Sequence, residues 1–151
     1  MALELTALEC HLSENRKQER ARLQAGTMKR PECLLDMARI LIVDTQTELR
    51  NHLVRLLEQA GHSATAVATV SEGTTILRDD VPDLLATNVV LIDGSGTVLA
   101  KQAEAAGAKV LMTTGNPDRI VEFDGSGQRY LSKPFPPEAF LRRVQEMLSS
   151  G

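Results

Sequence analysis

Four polar side chains stand where short apolar runs stop. They are Asp44 after residues 40–43, Asn88 after the run that starts at Leu84, Thr114 after residues 109–113, and Lys133 after residues 129–131. Together they offer a carboxylate, an amide, a hydroxyl and an ammonium. Open parallel sheets carry their ligands and chemistry beyond the C-terminal ends of the strands, so a set placed this way marks a candidate site. The central member lies in residues 82–96, PDLLATNVVLIDGSG. Apolar residues there bracket Thr87-Asn88 and end at Asp93-Gly94-Ser95-Gly96. This is the pattern of a buried central strand that delivers one side chain to the sheet edge and then turns. A catalytic domain is expected to place an acid at position 88. An amide nitrogen has no anionic lone pair and its oxygen is a poor nucleophile, so Asn88 does not suit that role.

The elements that must position these groups are set by periodicity. Residues 40–43 form a β-branched run, a buried strand ending at Asp44. Leu49, Leu53, Leu56 and Leu57 then share one helical face up to Gly61. Residues 63–68 read as a second strand, and Ser71 as the N-cap of a helix reaching Arg78, with Glu72 in its first turn. Residues 82–88 are the third strand, 96–106 a helix closed by Gly107, and 109–113 the fourth strand. Asn116-Pro117 opens a short helix that Gly125-Ser126-Gly127 breaks early. A brief fifth strand at 129–131, the turn Ser132-Lys133-Pro134-Phe135 and a helix over 136–148 complete the pattern. Phe140, Leu141, Val144, Met147 and Leu148 face inward on that last helix. Five strand–helix units make an α/β, doubly wound, five-stranded parallel sheet, with flavodoxin-like strand order 2-1-3-4-5 expected.

Composition narrows the function classes. The chain has 151 residues, 42% hydrophobic and 25% charged, which suits one globular domain with an extension. Aromatics are 3%, so the core rests on Leu, Val, Ile and Ala. The formal charge is −3 and no Lys/Arg block occurs, which argues against nucleic acid as a partner. No run reaches transmembrane length and the N-terminus has no signal-type apolar core, so a cytoplasmic protein with no membrane attachment is expected. Residues 1–36 differ from the rest. Leu5, Leu8 and Leu12 recur at helical spacing before the charged run 14–22, and Gly26 and Pro31 then interrupt the helical pattern. This N-terminal extension reads as partly helical or disordered: a mobile tail, an upstream start (Met28 and Met37 also fit one), or a partner-binding helix. The domain proper is 37–151. Cys10 and Cys33 read as free thiols, and His11, His52 and His62 are scattered without a metal spacing. No GxGxxG or GxxxxGK[ST] comes after the first strand, which leaves little for a nucleotide enzyme.

The stretches ILIVDTQTELR, PDLLATNVVLIDGSG, VLMTTGNPD and YLSKPF make residues 38–149 resemble a receiver domain of two-component response regulators, of the stand-alone kind. In that family a strand-three Asp takes a phosphoryl group from a phosphohistidine, and acids after strand one help hold Mg²⁺. By that resemblance Lys133 matches the phosphoryl-binding lysine, Pro134 a following cis proline, Thr114 the hydroxyl, Tyr130 the switch aromatic and Asp44 the first acid. Thr45 stands where the second acid normally sits, Gln46 where a third is common, Asn88 at the phosphoacceptor, and Ile92 in place of a proline. The resemblance therefore implies a degenerate, pseudo-receiver site that forms no acyl phosphate. Metal is not expected, and any Mg²⁺ binding should be weak. Lys133 is expected to pair with Asp44 or to donate to the Asn88 oxygen. The same residues also have plain structural readings. Thr114 and Asn116 can cap a helix, Tyr130 can pack an edge strand, Lys133 can be solvated, Asp93 fits a turn and Ser95 the N-cap of the third helix.

The resemblance implies a non-enzymatic signalling module acting by protein–protein binding. Its implied partners are a histidine kinase, a phosphotransfer protein or an adaptor. The face of the fourth helix, fifth strand and fifth helix, with Tyr130, Arg142, Arg143 and Glu146, is the one through which a homodimer would form. The first-helix face, with Arg50 and Arg55, is the one a kinase would meet. The alternative is a response regulator phosphorylated at a non-standard residue.

Overall fold

The computed structural model describes residues 37–150. The expectations for residues 1–36, including the Leu5/Leu8/Leu12 helix, both cysteines and His11, lie outside the described residues. A compact unit begins at Ala38.

The elements are β1 Arg39–Val43, α1 Thr47–Gln59, β2 Ser63–Val67, α2 Val70–Asp79, β3 Leu84–Asn88, the two-residue strands β4 Val90–Leu91 and β5 Gly94–Ser95, α3 Gly96–Ala105, β6 Lys109–Thr114, α4 Pro117–Ser126, β7 Tyr130–Ser132 and α5 Pro137–Ser149. Five strands pair in parallel in the order β2-β1-β3-β6-β7, the doubly wound order expected, while β4 and β5 form a separate antiparallel hairpin. Strand residues alternate between two cores, as the period of two demands. Ile40, Ile42, Leu84, Ala86 and Leu111 meet α1 and α5 through Leu53, Leu57, Phe140, Val144 and Met147. Leu41, Val43, Leu85, Val110 and Met112 meet Leu77, Leu99, Ala103 and Phe123 of α2, α3 and α4. Burial on both faces is why these strands read as continuous apolar runs.

Two expectations need correction. Thr69, not Ser71, is the N-cap of α2: its hydroxyl accepts the Glu72 N–H at 3.1 Å, and Glu72 Oε1 in turn accepts the Thr69 hydroxyl at 3.0 Å. The Thr-x-x-Glu spacing is a capping box, and it outcompetes the serine two residues on. The fourth helix is not short. It runs ten residues, the same as α2 and α3, and Gly125 lies inside it. Only Gly127 ends it, in a left-handed conformation with φ 77°. The third strand ends at Asn88, as expected, and the apolar residues past it enter the hairpin. Val89 and Leu91 are buried, but Val90 is 69% and Ile92 78% exposed. That alternation is the signature of a hairpin with one face on the core.

Gly96 is fixed by close approach. A Cβ there would stand 2.0 Å from the Asn88 carbonyl oxygen and 2.7 Å from Thr87 Oγ1. Its N–H donates to the Val89 carbonyl at 2.7 Å, so α3 starts directly against the end of β3.

Candidate functional site

Sheet register brings the predicted set together. Val43 pairs with Thr87, Asn88 with Thr113 and Thr114 with Ser132, so Asp44, Asn88, Thr114 and Lys133 all stand at one edge. Asp44 is 3% exposed. Its Oδ2 accepts from Lys133 Nζ at 2.6 Å, across 89 residues of sequence, and its Oδ1 accepts the Gln46 N–H at 2.9 Å. Both carboxylate oxygens are thus engaged by donors. Arg50 closes the same loop, donating to the Asp44 carbonyl at 2.5 Å and to Thr47 Oγ1 at 3.1 Å. Thr45 and Gln46 are exposed. Among the described residues no group of three or more His, Cys, Asp or Glu side chains could hold a metal ion.

Asn88 is half-buried at the end of β3. Its Nδ2 donates to the Val90 carbonyl at 2.7 Å. The fully buried Thr87 hydroxyl donates to the Asn88 carbonyl at 3.1 Å. The amide side chain therefore holds the first turn of the hairpin, a contact that needs a donor and that a carboxylate cannot make.

Thr114 is 4% exposed, and its Oγ1 accepts the Asn116 N–H at 3.1 Å. Asn116 itself caps α4 by accepting the Asp118 N–H at 2.9 Å. The Lys133 N–H donates to the Thr114 carbonyl at 2.8 Å, and the Lys133–Pro134 peptide is cis. Tyr130 directs its hydroxyl to α4, donating to Asp124 Oδ1 at 2.7 Å, with its ring centroid 5.9 Å from that of Phe123. That hydrogen bond to Asp124 raises the Tyr130 pKa above the ordinary phenol value.

Sequence reasoning reached Ser95 as the N-cap of α3, which accepts the Thr97 N–H at 3.2 Å. It missed the role of Asp93. Both Asp93 carboxylate oxygens cap α2 from 22–23 residues away, accepting the Val70 N–H at 2.7 Å and the Ser71 N–H at 3.1 Å. These two backbone donors, Val70 first, lower the Asp93 pKa. No sequence signal points to this pairing, because the two turns are joined only by the sheet. The Asp124 partner of Tyr130 and the Val90 carbonyl acceptor of Asn88 lie only six and two residues away, and they were missed because neither pair follows a helix-cap pattern.

The fold and the site define a class. Residues 40–145 match the family model described as the response regulator receiver domain, and the chain belongs to that family. It is therefore a receiver domain of two-component signalling. The chain is similar to the virulence transcriptional regulatory protein PhoP of Salmonella typhimurium, 27% identical over 74% of this chain and 52% of PhoP; it spans about half the length of that relative. It is similar as well to the protein PilH of Pseudomonas aeruginosa, 28% identical over 75% of this chain and 99% of PilH. Among solved structures, the CheY-like response regulator receiver domain protein of Methanospirillum hungatei superposes with a TM-score of 0.66 at 30% identity, covering 74% of this chain and 94% of that one. No helix among the described residues is long and apolar enough to cross a membrane.

Proposed function

We propose that this receiver domain is a phosphorylation-independent binding module of a two-component system. The observation that carries the reading is the 2.7 Å bond from Asn88 Nδ2 to the Val90 carbonyl. The residue at the phosphoacceptor position supplies a donor, holds the backbone beside it, and has no nucleophilic oxygen to offer. The rest of the edge is consistent. Asp44 is the one carboxylate matched to the site, and its two oxygens accept from Lys133 and from the Gln46 backbone. A hard ion such as Mg²⁺ needs several oxygens of high charge, so the residues present do not fit it and binding is expected to be weak. Asp93 and Ser95, the nearby groups that offer another acceptor, are both held in helix caps, so nothing favours phosphorylation at a non-standard residue.

Such a module has no covalent charge change to respond to, and acts through what it binds rather than as an enzyme. Its partners are then a histidine kinase, a phosphotransfer protein or an adaptor in the cytoplasm, which it occupies without accepting phosphate. The α4–β7–α5 face is a route to a homodimer. On it Arg142 is exposed, whereas Arg143 already donates to the Tyr130 carbonyl at 2.8 Å and lies 3.6 Å from Glu146.

The test is incubation of the whole chain with a small-molecule phosphodonor and Mg²⁺, read by intact mass, with Mg²⁺ titration by calorimetry alongside. No mass gain and no heat in the range of an ordinary receiver are expected. A stable gain of one phosphoryl mass on the native chain overturns the reading.

A further inference from the structure

The parallel sheet has two edges, and they are finished differently. At one of them β7 is three residues long, and Pro134 follows shortly after it. The Lys133 N–H and the Arg129 carbonyl bond to β6, so the main-chain groups of Tyr130 face away from the sheet. The Tyr130 carbonyl is taken there by Arg143 at 2.8 Å. A short strand, a capping side chain and a proline close an edge against further pairing.

At the other edge β2 pairs only with β1. The Ser63 N–H donates to the Ala38 carbonyl at 2.8 Å, and the Val67 carbonyl accepts the Asp44 N–H at 3.1 Å. In that register Ser63, Thr65 and Val67 turn their main-chain groups to β1. Ala64 and Ala66 turn theirs outward, and among the described residues nothing bonds them. Their methyl groups pack against the core under α1 and α5, which leaves the main chain open. The open stretch has a definite end, because Glu72 accepts the Ala68 N–H at 3.3 Å.

None of the usual devices blunts this edge. β2 holds no proline, glycine or charge, and its register has no bulge. Residues 59–71 carry no Asp, Glu, Lys or Arg, the longest such run in the chain.

We infer that this edge is an interface with a second copy of the chain, two β2 strands pairing antiparallel about a two-fold axis at Thr65. The pattern of open groups is self-complementary. Ala64 of one copy and Ala66 of the other form a hydrogen-bonded pair that exchanges N–H and carbonyl, and symmetry supplies the second pair. Thr65, which is exposed, then stands directly opposite its own counterpart. Charge favours a second copy over an unlike strand. At a two-fold axis each side chain meets itself, so a charge there would repel, and this run has none. The helices before and after β2 each expose both signs, Arg55 and Glu58 on α1 and Arg78 and Asp79 on α2, so neither sets a surface of one sign against itself. The dimer leaves the α4–β7–α5 face, at the opposite edge, free for a partner. It does not depend on the binding-module reading.

The test is sedimentation velocity of the full chain over a concentration series. A concentration-dependent dimer is expected, with the Ala64 and Ala66 amides exchanging more slowly with deuterium as it forms. Thr65→Lys puts like charges on the axis and should weaken dimerisation at least about fivefold. Thr65→Glu should do the same, and mixing the two variants should restore a heterodimer because opposite charges then meet. Ala64→Pro removes an N–H that bonds nothing within the chain, a change an edge strand tolerates, and should also weaken the dimer. A monomer at every concentration, a dimer unmoved by Thr65→Lys, or a mixture that fails to associate overturns the inference. So does a dimer that Arg142→Glu abolishes while the Ala64 and Ala66 amides stay unprotected, which would give the contact to the α4–β7–α5 face.

Discussion

Residues 84–88 and 90–92 are one apolar stretch in the sequence and two different things in the molecule. Leu84, Leu85 and Ala86 lie between β1 and β6, with helices over both faces, and are buried. Val90 and Ile92 lie in a hairpin that has only β5 beside it and only one face on the core, and they are exposed. The residue between them, Asn88, marks the change: it is the last to pair with β6 and the first to hold the hairpin. Burial in this region is set by the number of neighbours the fold supplies, and hydrophobicity alone does not distinguish the two halves.

That contrast can be broken most severely at the joint. Gly96→Val would place a side chain on the Asn88 carbonyl, which is backbone and cannot move aside. A loss of about 3 kcal/mol or more is expected, read by urea denaturation. A wild-type midpoint would show that the hairpin and α3 can separate from β3.

Leu85→Ala against Val90→Ala compares the two halves directly. Leu85 is fully buried and should cost about 3 kcal/mol, whereas Val90 should change stability by less than about 0.5 kcal/mol. Equal losses would mean that the hairpin is packed as tightly as the strand.

The clamp at the far end of the hairpin is readable through pH. Folding lowers the Asp93 pKa, so the unfolded chain takes up the proton more readily. The contribution of Asp93 is complete above the ordinary carboxylate range and is lost as pH falls through its depressed folded-state value. Asp93→Asn should flatten the acid limb of the stability curve. An unchanged limb in the variant would rule out the clamp as its source.

The smallest effect is expected at Tyr130, away from the hairpin. Folding raises its pKa through Asp124, so its contribution is present below the ordinary phenol range and lost as pH rises through the raised value. It is the single tyrosine, so its absorbance titration is unambiguous. Asp124→Asn should move the midpoint down toward the ordinary value, and no movement would place the hydroxyl elsewhere.

The sequence by itself determined the sheet and its edge. The Leu49/Leu53/Leu57 stripe carries a helical period, and a run such as ILIV reads as a strand buried on both faces by its shortness and its β-branched residues. The sequence also placed Asp44, Asn88, Thr114 and Lys133 at one edge, because strands of known direction end together. Local caps at Ser95 and Asn116 were legible for the same reason: donor and acceptor are two residues apart. The tertiary structure alone decided what those side chains touch. Lys133 reaches Asp44 across 89 residues, and Asp93 reaches α2 across 22. Contacts of that kind depend on which loops the sheet sets side by side. The fate of Val90 and Ile92 depends on it too, since an apolar residue is buried only where the fold brings something to cover it.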